Sequence, residues 1–324
     1  MARILIALGG NALLQNGDAR TYETQKERAY KAFKLLNGVL EKEDVIITHG
    51  NGPQVGDIMA RNEDSGDLPP SMPVHACGSM SQGLIGEMLL EAYEMVRAES
   101  GIGKIASVTL TRSLVDSNDP AFENPTKPVG RSYEKEEAIA IMKEKGWNMV
   151  ETDRGWRRVV PSPVPIDILE KDIIMNNLSS GFLPICTGGG GIPVKKEGNF
   201  YTGVDAVIDK DLASSVLAYL LEMDELIILT DVKNVYINYG KINQEPLENV
   251  SLEVAKKYLD GGQFGKGSMG PKVRAAILFL EHGGKIARIW NLNEAAQRRF
   301  LTSRETLEGP QANSRRVRRR FRMK

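Results

Sequence analysis

Short apolar runs alternate along the chain with longer amphipathic stretches. The apolar runs fall at 3–8, 45–48, 105–109, 183–187, 226–230 and 286–290. They are rich in Ile, Val and Leu and nearly free of polar residues, which predicts strands covered on both faces. Between them, apolar residues recur at three- and four-residue spacing over 24–41, 81–98, 135–145, 209–221, 252–259 and 272–281, which predicts helices. This alternation predicts an α/β fold, a three-layer sandwich with a mostly parallel central sheet between helices.

Two features interrupt the alternation. Residues 116–132 hold Pro120, Pro125 and Pro128 with little periodicity. Residues 148–160 then offer two apolar-rich arms around Asp153-Arg154-Gly155, a predicted hairpin, and Pro161, Pro163 and Pro165 close the segment. Residues 117–165 are therefore expected to form a small inserted subdomain. Its apolar set is Tyr133, Ile139, Ile141, Trp147, Val150, Trp156 and Val159. That suffices for a hairpin-plus-helix unit closing over a site as a lid. The polar stretch 236–246 predicts a hairpin or loop.

Length and charge narrow the function classes. The 324 residues allow two packed domains, and the 41% hydrophobic content fills a sizeable core. No run reaches 18 apolar residues, so no membrane span is expected. Residues 1–8 meet Gly9-Gly10 too soon for a signal-peptide core. Cys77 and Cys186 alone supply neither a disulfide framework nor zinc spacing, which points to a reducing cytoplasm. The formal charge of zero conceals an asymmetry. Residues 310–324 carry seven basic side chains and no acid, leaving 35 basic and 42 acidic residues in the remainder. An acidic body argues against nucleic-acid binding, and the basic run is expected to be a disordered tail.

Three glycine-rich loops follow predicted strands: Gly9-Gly10-Asn11, the 48–56 segment containing Gly50-Asn51-Gly52, and Gly188-Gly189-Gly190-Gly191. Strand ends are where open α/β sheets bind ligands, and glycines let backbone N–H groups approach an anion. There is no Gly-x-x-x-x-Gly-Lys-Ser/Thr run and no Gly-x-Gly-x-x-Gly, so neither a P-loop nor a dinucleotide fingerprint is present. His49, His75 and His282 are scattered, and no metal centre is expected from them. Lys210 follows Asp209, a predicted helix cap, and Lys272 follows Gly270-Pro271 at a helix entry suited to phosphate. Phosphoryl transfer needs positive charge placed in this way.

These segments resemble the carbamate kinases, within the amino acid kinase superfamily. The resemblance rests on Ala7-Leu8-Gly9-Gly10-Asn11-Ala12-Leu13, the 49–56 loop, Ser81-Gln82-Gly83, Lys127-Pro128-Val129-Gly130 and the 155–163 segment containing Gly155-Trp156-Arg157-Arg158. It continues through 188–194, 203–214, 229–235 and 264–273, in family order from about residue 3 to 290. It implies the amino acid kinase fold. The implied reaction is reversible: ATP and carbamate give ADP and carbamoyl phosphate, with Mg²⁺ accompanying the nucleotide and no protein metal site. It implies that Gly9, Gly10, Asn11, Gly50, Asn51 and Gly52 hold carbamate and the moving phosphoryl group. Lys127, Lys210 and Lys272 would stabilise phosphoryl oxygens, Asp211 would orient the lysines, and Arg157 or Arg158 would add charge from the lid. Thr230, Asp231, Val232, Tyr236 and Met269 would lie by the adenosine. An N-terminal domain over 1–208 would bind carbamate and carbamoyl phosphate, and 209–309 the nucleotide. A homodimer is implied as well, with the apolar helix segment 83–95 supplying a face.

The end of the chain departs from the family, whose members finish on a helix and a short strand. Here a predicted helix at 294–301 leads to Glu308-Gly309-Pro310 and the basic tail. The last sheet strand is expected to be missing, replaced or lost to an altered reading frame. The alternatives are another kinase of the superfamily acting on a different acyl or phosphate substrate, and a nucleotide-sensing module without turnover. The three lysines argue against the second, because a sensor has no transition state to stabilise.

Overall fold

The computed structural model describes residues 1–292, apart from Asn16, 65–69, Arg154, Asp231, Lys233, Lys266 and Ser268. It also describes the backbone of Arg320–Met323.

Strand β1 (Arg3–Leu8) leads through a 3₁₀ turn at Gly10–Ala12 to helix α1 (Tyr22–Lys42). Thr21 starts α1 by accepting a hydrogen bond from the Thr24 N–H. Ala29, Ala32, Phe33, Leu36, Val39 and Leu40 then share its buried stripe at three- and four-residue spacing. Next come β2 (Asp44–His49), α2 (Gly52–Asp64) and the long α3 (Val74–Ser100). Gly101, in the left-handed region with φ 72°, ends α3. The chain continues through β3 (Ala106–Val108), β4 (Arg112–Val115), β5 (Lys127–Tyr133), α4 (Lys135–Lys145), β6 (Met149–Thr152) and β7 (Gly155–Val160). Then follow β8 (Pro165–Ile168), α5 (Lys171–Ser179), β9 (Leu183–Cys186), β10 (Ile192–Glu197), β11 (Phe200–Gly203) and α6 (Lys210–Leu220). The last part holds β12 (Glu225–Thr230), β13 (Val235–Ile237), β14 (Glu245–Leu247), β15 (Asn249–Ser251) and α7 (Leu252–Asp260). It closes with α8 (Met269–Glu281), β16 (Ile286–Asn291) and β17 (Arg320–Met323).

The central sheet runs β15-β17-β16-β12-β1-β2-β9-β3, and every neighbouring pair is parallel except β15–β17. Alternate residues of β1 feed two cores. Ile4, Ile6 and Leu8 pack with α1 and α3 on one face, and Leu5 and Ala7 with α6 and α8 on the other. This is the expected three-layer sandwich. Each Leu or Ile fully buried here contributes roughly 1.5–3 kcal/mol. A smaller sheet, β11-β10-β4-β8, stands beside it.

The predicted 148–160 hairpin is β6 and β7, joined by β5 into a three-stranded antiparallel sheet. With α4 it has its own core of Tyr133, Ala138 and Met149, against which Trp147 and Trp156 pack. Ile139 and Val150, expected inside it, are exposed. Pro165, expected to end the insertion, opens β8 of the smaller sheet instead. Val129 and Val160 dock the unit onto Val55, Met59, Val74 and Cys77 of α2 and α3.

The tail differs from expectation at four residues. Arg320–Met323 is paired in parallel with β16 and antiparallel with β15. An open edge on β16 would leave a row of backbone N–H and C=O groups unpaired, and these residues fill it. The described sheet therefore does not end at β16 but continues through β17 to β15. The predicted helix at 294–301 and the rest of the tail lie outside the described residues.

Candidate active site

A cavity of about 870 Å³ opens at the C-terminal ends of β1, β2, β12 and β16. Gly9 and Gly10, Gly50 to Pro53, Thr230, and Asn291 line it from those strand ends. Such an edge collects the loops of several parallel strands at one place. The three-stranded unit reaches it through Lys127, Pro128 and Val129.

Charge is concentrated on its floor. Asp209 caps α6, its carboxylate accepting from the N–H groups of Asp211 at 3.0 Å and Leu212 at 3.3 Å. That cap starts the helix at Lys210 and sets Lys210 and Asp211 at the cavity. The Asp211 carboxylate, 4% exposed, accepts from Lys210 on one oxygen and from Lys272 Nζ at 2.8 Å on the other. Burial pushes its pKa up, but the two ammonium groups outweigh that and hold it down at about 2. Burial and the neighbouring Lys272 pull the Lys210 pKa down, and Asp211 opposes them. Two cations sharing one anion leave a net positive charge facing the cavity. Lys127 Nζ adds a third cation, 3.3 Å from Asp209.

The glycine loops are shaped by close approach. A Cβ on Gly9 would lie 2.6 Å from the Leu229 carbonyl oxygen, so only glycine lets β1 end against β12. Gly189 has φ +62°, and a Cβ there would meet the Asn51 amide at 2.1 Å. Asn51 donates from Nδ2 to Ser81 Oγ at 2.8 Å, and Ser81 donates in turn to the Gly78 carbonyl. Thr48 and Ser214 share a 2.6 Å hydrogen bond beneath the site. His49 is buried next to Gly50; loss of solvent is the main cause that lowers its pKa to about 4, so the ring is neutral.

The chain matches the description of the amino acid kinase family over residues 2–291. It is 53% identical over 295 residues to the carbamate kinase of Thermoplasma acidophilum, covering 91% of this chain and 95% of that protein. It is 46% identical over 303 residues to the carbamate kinase of Thermococcus kodakarensis, with 92% and 96% covered. The chain belongs to the amino acid kinase family. Its fold superposes on carbamate kinase from Giardia lamblia bound to AMP-PNP with a TM-score of 0.85 and 42% identity, covering 99% of this chain and 98% of that one. Its activity is that of a carbamate kinase, and its class that of an ATP-dependent kinase.

Within this carbamate kinase fold, most residues singled out from the sequence meet at the cavity. Gly9, Gly10, Gly50, Asn51, Gly52, Lys127, Lys210, Asp211 and Lys272 line it, as do Thr230, Val232, Tyr236 and Met269. Asn11 stands in the 3₁₀ turn behind Gly10, and Asp231 is outside the described residues. Arg157 and Arg158 do not line it. Arg157 donates to the Gly130 carbonyl at 3.0 Å, and Arg158 lies over the Trp147 ring beside a second cavity. Neighbours on a strand point to opposite faces, so they diverge. Asp209, Tyr239 and Gln263 also line the main cavity and were not singled out as site residues. An aromatic residue inside the polar 236–246 stretch was the available signal for Tyr239. Asp209 was legible as a cap, though not as the partner of Lys127.

Proposed function

We propose that this carbamate kinase transfers the γ-phosphoryl group of ATP to a carbamate oxygen, reversibly, with Lys127, Lys210 and Lys272 carrying the chemistry. The observation that supports this most directly is the Lys210–Asp211–Lys272 bridge on the floor of the cavity. Carbamate is already a nucleophile, so catalysis reduces to alignment and stabilisation of charge on the transferred group. Lys210 and Lys272 take the equatorial phosphoryl oxygens, and Asp211 keeps both ammonium groups oriented between turnovers. The N–H groups of the Gly9–Gly10 and Gly50–Gly52 loops hold carbamate and the phosphoryl group. Val232, Tyr236 and Met269 form the adenosine side.

Both oxygens of Asp211 are engaged by lysines and Asp209 is engaged by backbone N–H groups and Lys127, so these carboxylates do not suit a divalent cation. Mg²⁺ would be held by the nucleotide phosphates and would neutralise charge there. The three-stranded unit acts as a lid that brings Lys127 in and excludes water from carbamate and carbamoyl phosphate. The active form is a cytoplasmic homodimer. Most apolar residues of 83–95 serve the core, Ile85, Met88, Leu89 and Tyr93 among them, while Met80, Leu84 and Met95 stay exposed on α3. Those three, with Val108 on the edge strand β3, support a second copy packing on this face.

The test is ATP formation from ADP, Mg²⁺ and carbamoyl phosphate by the purified protein, followed by luminescence. ATP should appear in proportion to enzyme and should largely disappear with Lys272→Ala. Protein that binds ADP yet forms no ATP would overturn the assignment.

A further inference from the structure

A second cavity, of about 360 Å³, lies between the three-stranded unit and the helices beneath it. It is separate from the active-site cavity. On one side stand Lys145, Trp147 and Arg158, and on the other Met59, Asn62 and Glu63 of α2 with Met72 and Val74 at the start of α3. The Arg158 guanidinium is 4.3 Å from the Trp147 ring centroid, and the Lys145 ammonium is 5.0 Å from the same centroid.

The charge accounting there is incomplete. Arg158 is half-buried; loss of solvent lowers its pKa, and the charges of Asp205 and Glu63 oppose that from beyond ion-pair distance. Among the described residues the Arg158 guanidinium makes no hydrogen bond and has no carboxylate within ion-pair distance, and the Lys145 ammonium has none either. Buried guanidinium groups are ordinarily paired, because an unmatched desolvated charge is costly. The one carboxylate among the described residues of the wall, Glu63, is engaged elsewhere, accepting from the Tyr133 hydroxyl and lying 3.8 Å from Arg131 Nε. The indole contact takes one side of the guanidinium and none of its N–H groups, which can take two oxygens of one anion. Met59, Pro70, Met72 and Val74 supply an apolar part of the wall, with the polar Asn62 and Ser71 beside them.

We propose that this cavity binds a small carboxylate with a short apolar body, its oxygens on Arg158 and Lys145 and its body against Trp147, Met59 and Val74. The occupant bridges the three-stranded unit to α2. The unit's first strand, β5, begins at Lys127, so the site is placed to influence the lid.

Benzoate serves as the probe and inorganic phosphate as the comparison. Both are titrated by calorimetry, and by the indole N–H resonance of Trp147, assigned with Trp147→Phe. The active-site cavity is kept filled with a non-hydrolysable ATP analogue. Benzoate should bind saturably with a Kd of about 1–10 mM, about 4.1 kcal/mol at the tight end. Phosphate, lacking the apolar body, should bind more weakly by about tenfold or more. Arg158→Gln should weaken benzoate by about tenfold or more, as loss of a charge-assisted fork predicts. Lys145→Ala, an exposed change that does not threaten folding, should weaken it several-fold, and Lys272→Ala should leave it unchanged. No saturable binding, phosphate binding as tightly as benzoate, or an affinity indifferent to Lys145→Ala and Arg158→Gln would each overturn the proposal.

Discussion

Replacing Asp211 with Asn isolates the feature on which the site depends. The carboxylate is buried between two lysines whose side chains are each 14% exposed. Asn keeps the shape but offers one acceptor oxygen, so its NH₂ group must face one of the two ammonium groups, donor against donor. Removing one partner from a buried ion pair costs roughly 3–5 kcal/mol, because the remaining charge is left uncompensated. Burial already lowers the Lys210 pKa, and Asp211 is the largest influence opposing it. Asp211→Asn should therefore destabilise the protein by about 3 kcal/mol and slow ATP formation by roughly a hundredfold or more, the usual scale for loss of a transition-state charge. Urea unfolding measures the first and initial rates the second. The double variant Lys210→Met/Asp211→Asn removes the Lys210 charge as well and leaves Asn to accept from Lys272, whose charge remains. It should recover part of the stability lost by Asp211→Asn and none of the activity. If the double variant is instead less stable by the sum of the single changes, the buried-charge reasoning is wrong. The same holds if Asp211→Asn alone leaves stability within about 0.5 kcal/mol, the range of an ordinary surface change.

Lys127→Ala should lower turnover by about tenfold or more, some 1.4 kcal/mol of transition-state stabilisation, with ADP affinity nearly unchanged. Equal turnover would remove Lys127 from the chemistry. His49 stays neutral in the fold down to about pH 4, against 6.5 in the unfolded chain. The unfolded state therefore binds a proton that the fold refuses, and this contribution to stability should fall by roughly 3 kcal/mol between pH 6.5 and 4. His49→Gln should flatten that slope in urea unfolding, and an unaltered slope would count against it. Ending the chain at Gly309 strips β17 from the edge of β16. It should lower the thermal midpoint by roughly 3–8 °C, the scale of a few lost ladder hydrogen bonds, while ATP formation in the cold stays within about threefold. A midpoint equal to that of the full chain would show that β17 contributes nothing. Burial raises the pKa of Cys77 and pushes that of Cys186 up to about 12, so an aromatic disulfide should label neither thiol until denaturant is added. Prompt release of chromophore from native protein would contradict that burial.

Much of the sandwich was legible because its signals are local. A run such as Ile4 to Leu8 can be read as a doubly covered strand wherever it occurs. The Thr21 and Asp209 caps and the turn at Gly101 are decided within a few residues. The hairpin around Asp153 and Gly155 was equally plain. Short strands were not. β5 opens on Lys127-Pro128, and proline discourages a strand reading, yet β5 pairs with β7. The tail was misread by composition. Its Arg320-Phe321-Arg322-Met323 alternation has the strand period, but the count of arginines dominated the reading.

The chain by itself determined the α/β class, the glycine loops at strand ends and the lysines available for phosphoryl oxygens. The tertiary structure decided which of those charges meet. Asp211 and Lys272 are 61 residues apart, and Lys127 and Asp209 are 82 apart, so no spacing rule joins them. The parallel register of β1, β2 and β12 brings their loops together, and the cost of burying Asp211 unpaired selects the arrangement with a lysine on each oxygen. The same geometry parted Arg157 from Arg158. Adjacent in sequence and alike in charge, they sit on opposite faces of β7, and only the packing against Trp147 shows which cavity Arg158 serves.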